Sequence, residues 1–175
     1  MLKKLNSPYV YIALIALLGL SLYYFKQTEH TNSASTQALF AATFPDENGK
    51  PQALKHYAGK IVVLNFWATW CEPCREEMPE LSKLYETYKD KNLVVLGVAI
   101  DDVAAISKFT KDTKVSYPLF AADMDGMQYA NNLGNDKDVL PYTVIIKADG
   151  SVAKTYFGRV TKPLLEETLV KLFEK

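Results

Sequence analysis

Both cysteines of this chain lie in Trp70-Cys71-Glu72-Pro73-Cys74, between an apolar run and a segment of helical spacing. Ile61-Val62-Val63-Leu64-Asn65-Phe66-Trp67 has the length and β-branched content of a buried strand, and from Arg75 onward the apolar positions recur at helical intervals. The pair is therefore expected at a helix N-terminus. Unpaired backbone N–H groups and roughly half a positive charge gather there, which favours a thiolate at Cys71 over the thiol of pKa about 8.5 found in free cysteine. A thiolate is the nucleophile of disulfide exchange, and Cys74, one turn on, is placed to resolve a mixed disulfide formed at Cys71. A purely structural bridge is the weaker reading, since closing so short a loop restricts the unfolded chain little. A zinc site would need two further ligands, and the only histidines are His30 and His56, each remote from the pair in sequence. No metal and no cofactor are expected.

Composition narrows the classes further. Twenty basic residues balance twenty acidic ones, so nothing points to nucleic acid. Residues 8–25 carry no charge and are about long enough to cross a bilayer as a helix. With Lys3 and Lys4 before them, the positive-inside bias predicts a cytoplasmic N-terminus and export of everything that follows. The alternative, a cleaved signal peptide, is disfavoured by bulky Tyr23-Tyr24-Phe25 where cleavage would be expected. The expected organisation is thus a membrane anchor over residues 1–25, a polar flexible linker over 26–38, and one folded domain over 39–175.

Within that domain, residues 39–44 and 52–54 flank an Asn48-Gly49 turn signal and predict an opening β-hairpin. After the dithiol, Cys74, Met78, Leu81, Leu84, Tyr85 and Tyr88 form an apolar stripe, with a kink expected at Pro79. Glu77 falls inside the stripe. A carboxyl group there is either desolvated and suited to exchanging a proton with Cys74, or a rim glutamate that reaches water by its stem. Residues 93–100 read as a second buried strand, parallel to the first across the intervening helix. Asp101 and Asp102 are read as the start of a helix over 103–111 rather than as metal ligands. Asp123, Asp125 and Gly126 resemble part of a calcium loop but lack its closing glutamate, and are read as a turn. A short strand near 117–120, one or two helical turns over 128–133, a strand entered through Leu140-Pro141, its hairpin partner over 151–157 and a closing helix opened by Thr161 and Pro163 complete the α/β pattern.

From Gly59-Lys60 through Asn65-Phe66-Trp67-Ala68-Thr69-Trp70-Cys71-Glu72-Pro73-Cys74-Arg75-Glu76-Glu77-Met78-Pro79, the chain resembles the membrane-tethered thioredoxin-like reductases of the TlpA/ResA type. The likeness runs from about Leu39 to the end. It implies a thioredoxin fold with an N-terminal β-hairpin and a central insertion, preceded by one transmembrane helix. It implies a cis bond before Pro141, and a substrate groove formed by Trp70, Glu72, Pro73, Leu140 and Pro141. It also implies an acid at Glu77 serving Cys74. Ordinary thioredoxins carry a buried aspartate where this chain has Asn65, which leaves Glu77 as the substitute. Tyr142 stands where many relatives have a small polar residue.

The implied activity is reduction of disulfides in exported proteins, such as apocytochrome c or other periplasmic thiol proteins. A membrane-embedded thiol reductant would recharge the pair, and the chain would act as a monomer on the outer side of the cytoplasmic membrane. A disulfide-forming oxidase shares fold and motif. A peroxiredoxin-like peroxidase would want threonine at position 68, where this chain has Ala68. A non-catalytic metal carrier or binding module is the reading from another class.

Overall fold

A computed structural model of the protein describes residues 8–174, and of 25–34 only the backbone. Its centre is a five-stranded sheet. The central strand β3 (Ile61–Trp67) is flanked by β4 (Leu93–Ala99) on one side and β6 (Tyr142–Ile146) on the other, with β5 (Leu119–Ala121) and β7 (Val152–Phe157) at the edges, in the order β5-β4-β3-β6-β7. β3, β4 and β5 run parallel, while β6 and β7 are antiparallel to their neighbours. Strands β3 and β4 are buried throughout, which is why they read as unbroken apolar runs instead of alternating ones.

Two apolar cores lie on opposite faces of the sheet. Val63 and Trp67 face Met78, Leu81 and Leu84 of α2 (Glu72–Tyr88), Ile106 of α3 (Val103–Asp112), and Leu165 and Leu169 of α5 (Lys162–Phe173). Val62, Leu64 and Phe66 face Ala130 of α4 (Asp125–Asn132) and Leu39, near the end of α1 (Pro8–Ala41). The parallel β3-α2-β4 unit, the proline-led β6 and the helix begun by Asp102 follow the sequence reading. The Asp102 carboxylate accepts the Ala105 N–H at 2.8 Å, so it caps α3. Asp125, read as part of a turn, instead opens α4. Helix α2 continues through Pro79 to Tyr88.

The N-terminal region departs from expectation. Among the described residues, no helix is long and apolar enough to cross a membrane, which overturns the transmembrane helix. The strongly apolar stretch from Ile12 to Leu22 spans only about 17 Å at 1.5 Å per residue, against a hydrocarbon core of about 30 Å, and is bracketed by Tyr9, Tyr11, Tyr23 and Tyr24. Lys3 and Lys4, on which the orientation rested, lie outside the described residues, as do the side chains of His30 and of most of the expected linker. The backbone is helical through that linker to Ala41. Residues 39–41 therefore belong to α1 and not to the hairpin, because Leu39 enters the core as the last turn of a helix, while Thr36 Oγ1 donates to the Gly150 carbonyl at 2.7 Å. The hairpin itself forms as the shorter pair β1 (Thr43–Pro45) and β2 (Pro51–Ala53), its turn held by the Asp46 carboxylate on the Asn48 and Lys50 N–H groups.

Gly97 in β4 is required by packing. It pairs with Asn65 and with Leu119, and a Cβ there would lie 2.6 Å from Leu119 Cδ2 and 3.1 Å from both Trp67 Nε1 and Tyr117 Cε2. The missing side chain lets two aromatic rings close over the sheet beside Asn65. Gly97→Ala is expected to lower the unfolding free energy by about 1–3 kcal/mol in a urea titration. An unchanged midpoint would show that Leu119 alone yields.

Candidate active site

The site forms where β3 ends and α2 begins. The chain leaves the sheet after Trp67, and Thr69 N–H donates to Asp101 Oδ2 at 2.6 Å, which ties the approach to the cysteines to the end of β4. Cys71 is the N-cap residue of α2 and is bonded to Cys74 through a disulfide with a Cα–Cα separation of 5.3 Å. Its side chain makes no capping hydrogen bond, and Pro73 in the first turn removes one of the N–H groups there, so the remaining first-turn amides are what a thiolate at Cys71 would face. Cys71 keeps 7% of its surface exposed and Cys74 none, so a reagent from solution meets Cys71 first.

Around the pair, Trp70 is 68% exposed, Glu72 and Pro73 are exposed, Leu140 is half-buried and Pro141 buried. The Leu140-Pro141 peptide is cis. Because Tyr142 pairs with Phe66 in antiparallel register, Pro141 sits at the end of the sheet from which the chain runs on to Cys71. The five residues expected in a substrate groove thus converge on one end of the sheet. Tyr142 does not join them. Its ring is buried on the opposite face, stacked on Phe66, and its hydroxyl donates to the Leu133 carbonyl at 2.8 Å.

Glu77 lies one turn beyond Cys74 on the buried face of α2 and is wholly inaccessible, so the rim reading fails. Its Oε1 accepts from Asn65 Nδ2 and its Oε2 from the Val160 N–H, each at 2.7 Å. Burial pushes its pKa up to about 7, against the opposing pull of those two bonds and of the Arg159 guanidinium. A carboxyl group poised near neutrality beside a buried sulfur can hold or release a proton over the pH range in which exchange operates.

Several residues of this site have no role in the sequence reading, where Asn65 is noted only for replacing the aspartate of ordinary thioredoxins. Asn65 uses its second N–H on Thr143 Oγ1 at 3.0 Å, while its own Oδ1 is buried without a partner. Tyr117, also buried, has its hydroxyl held above its ordinary range by burial and by the Glu77 charge. Asn65 carried a signal, as the one polar side chain in an apolar strand. The Val160 amide carried none, because a backbone donor contributed by a distant loop has no sequence signature. Among the described residues, no group of acidic, histidine or cysteine side chains is arranged to hold a metal ion.

Comparison with known proteins agrees with this geometry. Residues 36–155 match the AhpC/TSA family. The chain is 34% identical over 166 residues to the thiol-disulfide oxidoreductase ResA of Bacillus thuringiensis subsp. konkukian, covering 93% of this chain and 92% of that protein. It is 30% identical over 161 residues to ResA of Bacillus subtilis, covering 90% and 87%. A DsbE-like thiol:disulfide interchange protein from Chlorobium tepidum superposes with a TM-score of 0.67 at 26% identity, over 75% of this chain and 92% of that one. A DsbF homologue from Corynebacterium diphtheriae gives 0.65 at 27% identity, over 75% and 83%. With a C-x-x-C pair at the head of α2 on a thioredoxin-like sheet, the chain belongs to the AhpC/TSA family and is a thiol-disulfide oxidoreductase of the ResA type.

Proposed function

We propose that the enzyme works as an extracytoplasmic reductase of disulfides in exported proteins, apocytochrome c and other periplasmic thiol proteins being the candidate substrates. In the cycle, the Cys71 thiolate attacks a substrate disulfide and expels one substrate sulfur as a thiol. Cys74 then attacks Cys71, releasing the second substrate thiol and leaving the Cys71–Cys74 disulfide. A membrane-embedded dithiol donor returns two electrons and two protons to the pair. Trp70, Glu72, Pro73, Leu140 and Pro141 would line the groove for the substrate backbone, and Glu77 would pass the proton to and from Cys74.

The observation that carries the reductive direction is the buried Glu77 one turn from Cys74. Strong oxidants of this fold owe their potential to a stabilised reduced form. An acid beside the sulfurs works the other way, since its ionised state disfavours a neighbouring thiolate. Equilibration of the protein with glutathione tests this. A potential near the roughly −270 mV of thioredoxin is expected, and one near the roughly −120 mV of DsbA would reverse the direction. A peroxidase reading draws on the family match, but Ala68 is buried and supplies no hydroxyl three residues before Cys71. Rapid consumption of hydrogen peroxide by the reduced protein would favour it nonetheless.

A further inference from the structure

Three carboxylates on α2 hold the loop between β7 and α5 and the first residue of α5. Glu76 Oε2 pairs with Arg159 Nη1, Glu77 Oε2 accepts the Val160 N–H at 2.7 Å, and Glu80 Oε2 accepts the Lys162 N–H at 3.3 Å. The loop leaves β7 through Gly158, whose φ of 79° is open to glycine and strained for other residues, so the chain turns there before Arg159 and Val160. Val160 is buried at 1% exposure, whereas Arg159 and Glu76 are about half exposed. An exposed pair of this kind adds little stability by itself. Its consequence is positional, since it pins the residue next to the amide that Glu77 uses.

We infer that Arg159 is a positioning residue for Glu77: its ion pair with Glu76 clips the 158–161 loop to α2 and so keeps the Val160 N–H on Glu77 Oε2. The carboxylate form of Glu77 has two donors, Asn65 from the sheet and Val160 from the loop, and only the second lies outside regular secondary structure. Losing it would leave the buried charge with one donor and favour the protonated form.

The groups around Glu77 make the role specific. From its own helix come Cys74, Glu76 and Glu80; from the sheet, the neutral Asn65 and, through it, Thr143; from the segment before β5, the buried Tyr117 hydroxyl. From the loop and α5 come Arg159 and Lys162, and the Lys162 ammonium is engaged by Glu166 at 2.7 Å. Arg159 is the cation that acts on Glu77.

The inference rests on the reading of Glu77 as the proton group, but its test does not depend on activity. The Glu77 carboxyl is titrated by ¹³C NMR in the oxidised full-length chain, where neither cysteine titrates, with Glu77→Gln to assign the signal. Arg159→Ala should raise the midpoint by roughly one unit, the effect of losing one hydrogen bond to a charged group. Arg159→Lys, which keeps a charged donor for Glu76, should return it toward the wild-type value. Glu76→Ala, which leaves Arg159 no acceptor at that position, decides between position and charge. If the clip operates, this variant raises the midpoint as Arg159→Ala does. If Arg159 acted through its charge alone, removing the neighbouring anion and freeing the guanidinium would lower it. A lowered or unmoved midpoint in Glu76→Ala, or no return in Arg159→Lys, overturns the inference. An unaltered pH profile of exchange in Glu77→Gln would instead count against the proton role and leave the clip standing.

Discussion

Replacing Cys71 with serine is expected to reduce disulfide exchange by several orders of magnitude, to the level of the uncatalysed reaction, because the sulfur that meets the substrate is lost. Replacing Cys74 should give a different failure. Cys71 retains its place at the head of α2 and its partial exposure, so attack proceeds. Resolution does not, since Cys74 is the second cysteine of the chain and its Cα lies 5.3 Å from that of Cys71, within bonding reach. Cys74→Ser should therefore accumulate mixed disulfides, visible as adducts on non-reducing gels and by mass spectrometry, while Cys71→Ser should not. Adducts on Cys71→Ser and none on Cys74→Ser would reverse the order of attack. The asymmetry follows from burial, for a wholly inaccessible sulfur cannot start exchange with a partner the size of a protein.

What could be read from the sequence follows from the range of the interactions involved. Strands β3 and β4 and the helix between them are buried elements whose composition and periodicity carry their own signature, and the cysteines between them announce the chemistry. Glu77 was legible as a candidate because helical spacing alone puts it on the stripe of Cys74, Met78 and Leu81. Its state was not, because it depends on Asn65, twelve residues earlier, and on the Val160 amide, more than eighty residues later. The misreading of residues 39–41 has the same origin. They look like strand until Leu39 is seen to close the far core as helix, whereas the anchor fails locally, on a strongly apolar stretch too short for a bilayer. Asn65 could have been weighed more heavily: a polar side chain in a wholly buried strand needs partners, and those partners turned out to be Glu77 and Thr143.

Glu77→Gln should remove a pH dependence of folding stability worth about 3 kcal/mol. The carboxyl titrates near its ordinary value of 4.5 in the unfolded chain and at about 7 in the folded one. Below 4.5 both states hold the proton and pH has no effect through this group. Between 4.5 and about 7 the folded protein keeps the proton while the unfolded chain releases it, so stability falls as pH rises. Above about 7 both are ionised and the loss is complete, at roughly 1.4 kcal/mol for each unit between the two values. Glutamine has no proton to lose and should show no such slope. It should also fit the site, because the unpartnered Oδ1 of Asn65 allows that amide to turn and accept from the new NH₂ group, while the remaining carbonyl oxygen keeps the Val160 N–H. Urea unfolding of the oxidised proteins at intervals from pH 4 to pH 8 tests this, with the wild-type and variant curves converging or crossing as pH rises. Parallel curves would mean that Glu77 ionises in the native state near its ordinary pKa, and a carboxylate already charged well below neutrality would have no proton to offer Cys74 where the enzyme works.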